Sequence, residues 1–96
     1  MGLIRTKISV AGLNESEAAA GLPSFREYID DRAWLLNPKA EWDGEGECLR
    51  VTVETEGDDA KLEAEGVFDE VWDCVIAAFD SSESLSFDIL EAVKLS

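Results

Sequence analysis

The chain has 96 residues, with 22 acidic and eight basic side chains, a formal charge of −14 and no histidine. That charge repels nucleic-acid phosphate and anionic lipid at long range, and the missing histidine excludes Ser-His-Asp and Cys-His catalysis and histidine metal sites. A hydrophobic fraction of 46% with three tryptophans nevertheless predicts one globular domain over residues 1–96, too small for a deep cleft between lobes.

Leu3 to Ala11 alternates, with Ile4, Thr6, Ile8 and Val10 on one face and Arg5, Lys7 and Ser9 on the other, the pattern of a half-buried strand. Gly12 closes it. Asn14 and Glu17 have capping-box spacing and open the run ESEAAA, which Gly21 and Pro23 interrupt. A second capping-box pair, Ser24 and Glu27, predicts a helix over 24–32 with Phe25, Tyr28, Ile29 and Arg32 on one side. Ala33 to Trp42 alternates again, with Trp34, Leu36, Ala40 and Trp42 inward, and Pro38 predicts that this strand lies at a sheet edge because it cannot donate to a ladder. Asp43-Gly44-Glu45-Gly46 signals a turn, and Leu49 to Thr55 completes a hairpin with Leu49, Val51, Val53 and Thr55 inward.

Gly57-Asp58-Asp59 ends that strand and offers an Asp cap, while Gly66 leaves residues 59–66 open between helix, loop and short extra strand. Val67 to Phe79 is the main amphipathic helix. At about 100° per residue it gathers Val67, Phe68, Val71, Trp72, Val75, Ile76 and Phe79 on one half and Asp69, Glu70 and Asp73 on the other. Ser81 to Ser84 breaks the pattern, and Leu85, Phe87, Ile89, Val93 and Leu95 mark a last strand. Glu91 falls on its inward parity, which predicts either a bulge at Ile89-Leu90 or a charge that blunts a sheet edge.

Strand, helix, strand, strand, helix, strand with right-handed crossovers predicts an α+β fold of the ferredoxin-like split βαβ type (βαββαβ). Its antiparallel sheet has the order 4-1-3-2, with both helices on one face. The second and fourth strands are then edges, which suits Pro38 and Glu91.

The open face of that sheet is expected to carry Arg5, Lys7, Lys39, Arg50 and Lys94 with Glu41, Glu54, Glu56 and Asp88. Five of the eight bases but four of the 22 acids would lie there, a net of +1. These five basic residues are the candidate binding residues. Cross-strand pairing of Arg5 and Lys7 with Glu54 and Glu56, and of Arg50 with Glu41, explains the pattern within one copy. Contact with a second copy, a partner protein or a small anion explains it between molecules, and Leu35, Leu90 and Ala92 are the apolar side chains expected there.

No phosphate-cradling glycine loop and no CxxC spacing is present, and the central strands lack the aromatic residues that stack RNA bases. Glu41, Asp43, Glu45 and Glu47 crowd the hairpin turn without EF-hand spacing and read as a solvated turn, so neither a metal nor a cofactor is expected. Glu91 is the carboxylate best placed for acid–base work, against its plainer role as an edge guard. Trp34, Trp42 and Trp72 read as core, with Trp42 partly visible to solvent. Cys48 and Cys74 read as free thiols of a cytoplasmic protein without an export signal or a membrane span. The expected function is a non-catalytic protein-interaction module that could form a homodimer through the open sheet face. The alternatives are an acidic inhibitor or immunity-like protein for a basic partner and, last, a small carboxylate-dependent enzyme.

Overall fold

A computed structural model of the chain describes residues 2–79 and 85–95. The elements are β1 (Leu3–Ala11), α1 (Glu15–Asp30), β2 (Leu36–Asp43), β3 (Cys48–Glu56), α2 (Ala60–Ala78) and β4 (Ser86–Lys94). The four strands form one antiparallel sheet in the order β2-β3-β1-β4, the ferredoxin-like arrangement expected from the element order. The break expected at Ser81–Ser84 lies outside the described residues. The core sits between one sheet face and the helices, where Ile8, Val10, Leu49, Val51 and Val53 meet Phe25, Ile29, Val67, Val71 and Val75.

Helix α1 is longer than the local sequence predicts and runs through both Gly21 and Pro23. The Asn14–Glu17 capping box starts it, with Glu17 N donating to Asn14 Oδ1 at 2.7 Å and Asn14 N donating to Glu17 Oε1 at 3.0 Å. Ser24 and Glu27, the expected second box, therefore lie in its interior. Ala18, Gly21, Phe25 and Ile29 form the buried stripe, at helical spacing. An interior proline costs about 3 kcal/mol, but burying Phe25 and Ile29 contributes about 1.5–3 kcal/mol each. Pro23 and Ala19 are both exposed, so water can take the bond that the Ala19 carbonyl loses.

Helix α2 begins at Ala60, which settles residues 60–66 as helix despite Gly66. Asp59 caps it, its side chain accepting from Lys61 N at 3.1 Å and Leu62 N at 3.3 Å. At Gly21 helix α1 packs tightly against the end of α2: a Cβ there would lie 2.4 Å from Phe79 Cδ1. The rings of Phe25 and Phe79 meet nearby in a tilted contact, centroids 6.0 Å apart.

Two departures from simple alternation change which residues face the core. In the first, β2 starts at Leu36, Asn37 has a φ of 48°, and the pairing with β3 shifts between Leu36 and Lys39. Leu35 is consequently buried rather than on the open face, and Trp34 is exposed rather than in the core. The Trp34 indole lies over Gly66, 3.5 Å from the position a Cβ would take there. In the second, β4 carries the bulge foreseen at Ile89-Leu90: Ile89 pairs with Ile8 and Glu91 with Lys7, so Leu90 has no partner in β1. Every residue after Leu90 changes face.

Candidate functional site

The ladder places four of the five candidate basic residues on the open face. Arg5 lies opposite Glu54, Lys7 opposite Thr52, and Arg50 opposite both Ser9 and Glu41. Lys39 lies on the other side of Thr52 from Lys7, so Lys7, Thr52 and Lys39 form one row across three strands. Lys94 is the exception. The Leu90 bulge sets it opposite Ile4 on the other parity, where its Nζ lies 3.7 Å from Asp58 Oδ1. The same bulge turns Ala92 to the covered side opposite Thr6 and brings Glu91 onto the open face.

The charge balance of that face changes accordingly. Arg5, Lys7, Lys39 and Arg50 stand against Glu41, Asp43, Glu54, Glu56, Asp88 and Glu91, four against six, so the face carries −2 and not the expected +1. The arginines are held by carboxylates of the same copy. Arg5 Nε donates to Glu91 Oε2 at 3.2 Å, and Arg50 Nη2 lies 2.9 Å from Asp43 Oδ2. Glu91 also lies 3.9 Å from Lys7 Nζ, so it serves as the hub of an ion-pair cluster and is not an isolated acid.

The side chains sequence reasoning missed lie on the opposite flank, where α2 meets β4. Helix α2 buries Ala64, Val67, Val71, Cys74 and Val75 against the sheet. Its apolar arc is wider than that contact, which leaves Trp72 and Ile76 each 43% exposed. Trp72 leans on Phe87 with ring centroids 4.5 Å apart, and Phe68 meets the same ring edge-on at 5.8 Å. Beside them lies a hollow of about 400 Å³ lined by Phe68 and Ile89 with the carboxylates Glu65 and Asp69. Ile89, Leu90, Val93 and Leu95 add further exposed apolar surface along β4. The signal available beforehand was that apolar excess: Val67 to Phe79 offers more large side chains than one helix–sheet contact can cover.

The two sheet edges differ in how they are protected. On β2, Pro38 removes a donor, and Arg26 of α1 donates to the Ala40 carbonyl from Nε at 3.3 Å and Nη2 at 2.9 Å. Strand β4 has no comparable cover among the described residues. Leu95 N donates to Leu3 O at 2.7 Å, so by the alternation of an antiparallel ladder Ala92 and Lys94 turn their backbone groups to the free side.

The thiols are buried and apart, Cys48 on β3 and Cys74 on α2. Burial pushes the Cys74 thiol upward, against the opposing charge of Arg32, which disfavours the nucleophilic thiolate. Among the described residues no cluster of carboxylates and thiols is arranged to hold a metal ion. Among the described residues no helix is long and apolar enough to cross a membrane. No protein-family model, curated protein or solved structure matches the chain, so its function has to be argued from these surfaces.

Proposed function

We propose that the protein is a non-catalytic interaction module that receives a short, extended, basic segment of a partner protein along β4 and the adjoining flank of α2. The observation that carries this reading is the exposed apolar surface around Trp72, Ile76 and Ile89, beside a sheet edge with no cover among the described residues. Edge strands add an incoming strand through main-chain hydrogen bonds, and neighbouring pockets then select alternate side chains. The hollow at Phe68 and Ile89, with Glu65 and Asp69 on its rim, suits a lysine or arginine whose methylene stem lies on apolar surface and whose head meets a carboxylate. The interruption at Leu90 divides the edge into two short runs, which favours a brief segment over indefinite sheet extension.

A second copy of this chain is the poorer occupant. It would bring a second charge of −14, with its own Glu65, Asp69 and Asp73, toward the same carboxylates. The open sheet face is also less favoured for a protein partner, because its arginines are paired within one copy. Two buried free thiols are in keeping with a reducing, cytoplasmic setting.

The test is a nuclear magnetic resonance titration of the labelled protein with a blocked peptide of alternating lysine and valine. A peptide of alternating glutamate and valine is the control. The expected result is amide shifts confined to β4 and the Trp72–Ile76 flank, weakening as salt is raised and lost in Ile89→Asp. Absence of binding, or shifts centred on Thr52, would refute the assignment. A concentration-dependent dimer that Ile89→Asp dissociates would replace the basic partner with a second copy.

A further inference from the structure

We infer that the open sheet face carries a second, independent site: a hollow over Thr52 that binds a small oxyanion. The hollow has a volume of about 510 Å³ and is lined by Arg5, Lys7, Asn37, Lys39, Glu41, Thr52 and Glu54. Five of these seven side chains are hydrogen-bond donors, three of them cationic. The row Lys7–Thr52–Lys39 sets a hydroxyl between two lysines on the strands either side of it, a donor set that suits one oxyanion.

What distinguishes these lysines is that three of the six acids on the face hold other donors more closely. Glu91 holds Arg5 at 3.2 Å, Asp43 holds Arg50 at 2.9 Å, and Glu54 accepts from Asn37 Nδ2 at 3.0 Å. Lys39 has no ion pair among the described residues, and Lys7 has one contact, at 3.9 Å to Glu91. In an otherwise strongly acidic molecule, this hollow has three cations against two carboxylates in its lining, with two lysines flanking one hydroxyl. Asn37 is fixed at the rim by a φ of 48°, a left-handed conformation that asparagine tolerates better than most residues. Glu41 and Glu54 border the hollow and limit it to a small ligand, favouring one whose hydroxyl or amine can face a carboxylate while its anionic end lies over Thr52.

The experiment titrates the labelled protein separately with inorganic phosphate and with citrate, at constant ionic strength held with chloride. The inference expects saturable shifts at Lys7, Lys39 and Thr52 with at least one of the two, in the millimolar range. Phosphate saturating more tightly assigns the ligand as a phosphate, and citrate doing so assigns a carboxylate. Lys39→Ala should weaken binding about tenfold or more, as expected for losing one charge-assisted hydrogen bond, whereas Lys94→Ala, on the other parity, should leave it unchanged. Shifts that stay linear for both anions, or equal effects of Lys39→Ala and Lys94→Ala, would overturn it. Because this site shares no residue with the α2–β4 flank, either assignment can fail without the other.

Discussion

Replacing Gly66 and Gly21 by alanine, one at a time, should move stability in opposite directions. Both positions are helix interiors, where alanine is favoured over glycine by about 1 kcal/mol. At Gly66 the new methyl group meets Trp34 Cη2 at 3.5 Å, ordinary van der Waals contact, so the whole gain is retained. For a domain of this size about 1 kcal/mol raises Tm by roughly 4–8 °C. At Gly21 the same methyl group would stand 2.4 and 2.5 Å from Phe79 Cδ1 and Cε1, and 2.9 Å from the Ala78 carbonyl oxygen. The ring belongs to a buried side chain and the carbonyl to backbone, so the helices must separate. Overpacking of this kind costs about 1–3 kcal/mol, which outweighs the propensity gain in all but its mildest cases. Urea unfolding followed by far-ultraviolet circular dichroism measures both variants against the parent. If Gly21→Ala were as stabilising as Gly66→Ala, the close approach of α1 to α2 at Phe79 would be wrong.

Thr6 and Thr55 are buried with hydroxyls that have no hydrogen-bond partner among the described residues. Thr6→Val and Thr55→Val should each stabilise the protein by about 1 kcal/mol in the same urea assay; a loss would reveal an internal water bonded to those hydroxyls. Asp59→Ala should cost about 1 kcal/mol by leaving the first amides of α2 without their cap, read as a lower Tm with an unchanged native spectrum. Burial raises the Cys74 thiol pKa, so its stabilising contribution is complete below the ordinary thiol value of about 8.5 and is lost as pH rises through the higher folded-state value. Urea midpoints should therefore fall on the alkaline side, and Cys74→Ala, though less stable throughout, should show a shallower fall.

The fold was legible because local and global signals agree. Alternation in Leu3–Ala11 and Cys48–Glu56 sorts core from surface residue by residue, and the Asn14–Glu17 box opens α1 where its spacing says it should. The failures share one cause, that tertiary contact overrides a local rule. Pro23 reads as a helix breaker, yet the stripe from Ala18 to Ile29 holds the helix together across it. Trp34 sits on an inward parity in an uninterrupted strand, but the left-handed Asn37 ends the alternation before reaching it. Trp72 belongs to the apolar half of its helix, and only the width of the sheet beneath decides that it faces solvent. Four of the five basic residues were placed on the correct face because strand parity is local information. Lys94 departs from its local parity because the bulge at Leu90 resets alternation for everything after it.

That one unpaired residue connects the two surfaces. Had β4 kept strict alternation through Leu90, Glu91 would point into the core, and Lys94 would join the other cations on the open face. With Leu90 set aside, Glu91 instead reaches Arg5 and Lys7, and Lys94 leaves for Asp58. The face thereby loses a cation and gains an acid, which leaves Lys7 and Lys39, on either side of Thr52, as the cations its carboxylates hold least closely. On the flank, Phe87 and Ile89 precede the bulge and keep step with Val10 and Ile8, beside Phe68 and Trp72. The bulge thus decides which side chains meet on each surface, setting Glu91 beside Arg5 and Lys7 on the sheet face while Ile89 stays beside Phe68 on the α2–β4 flank.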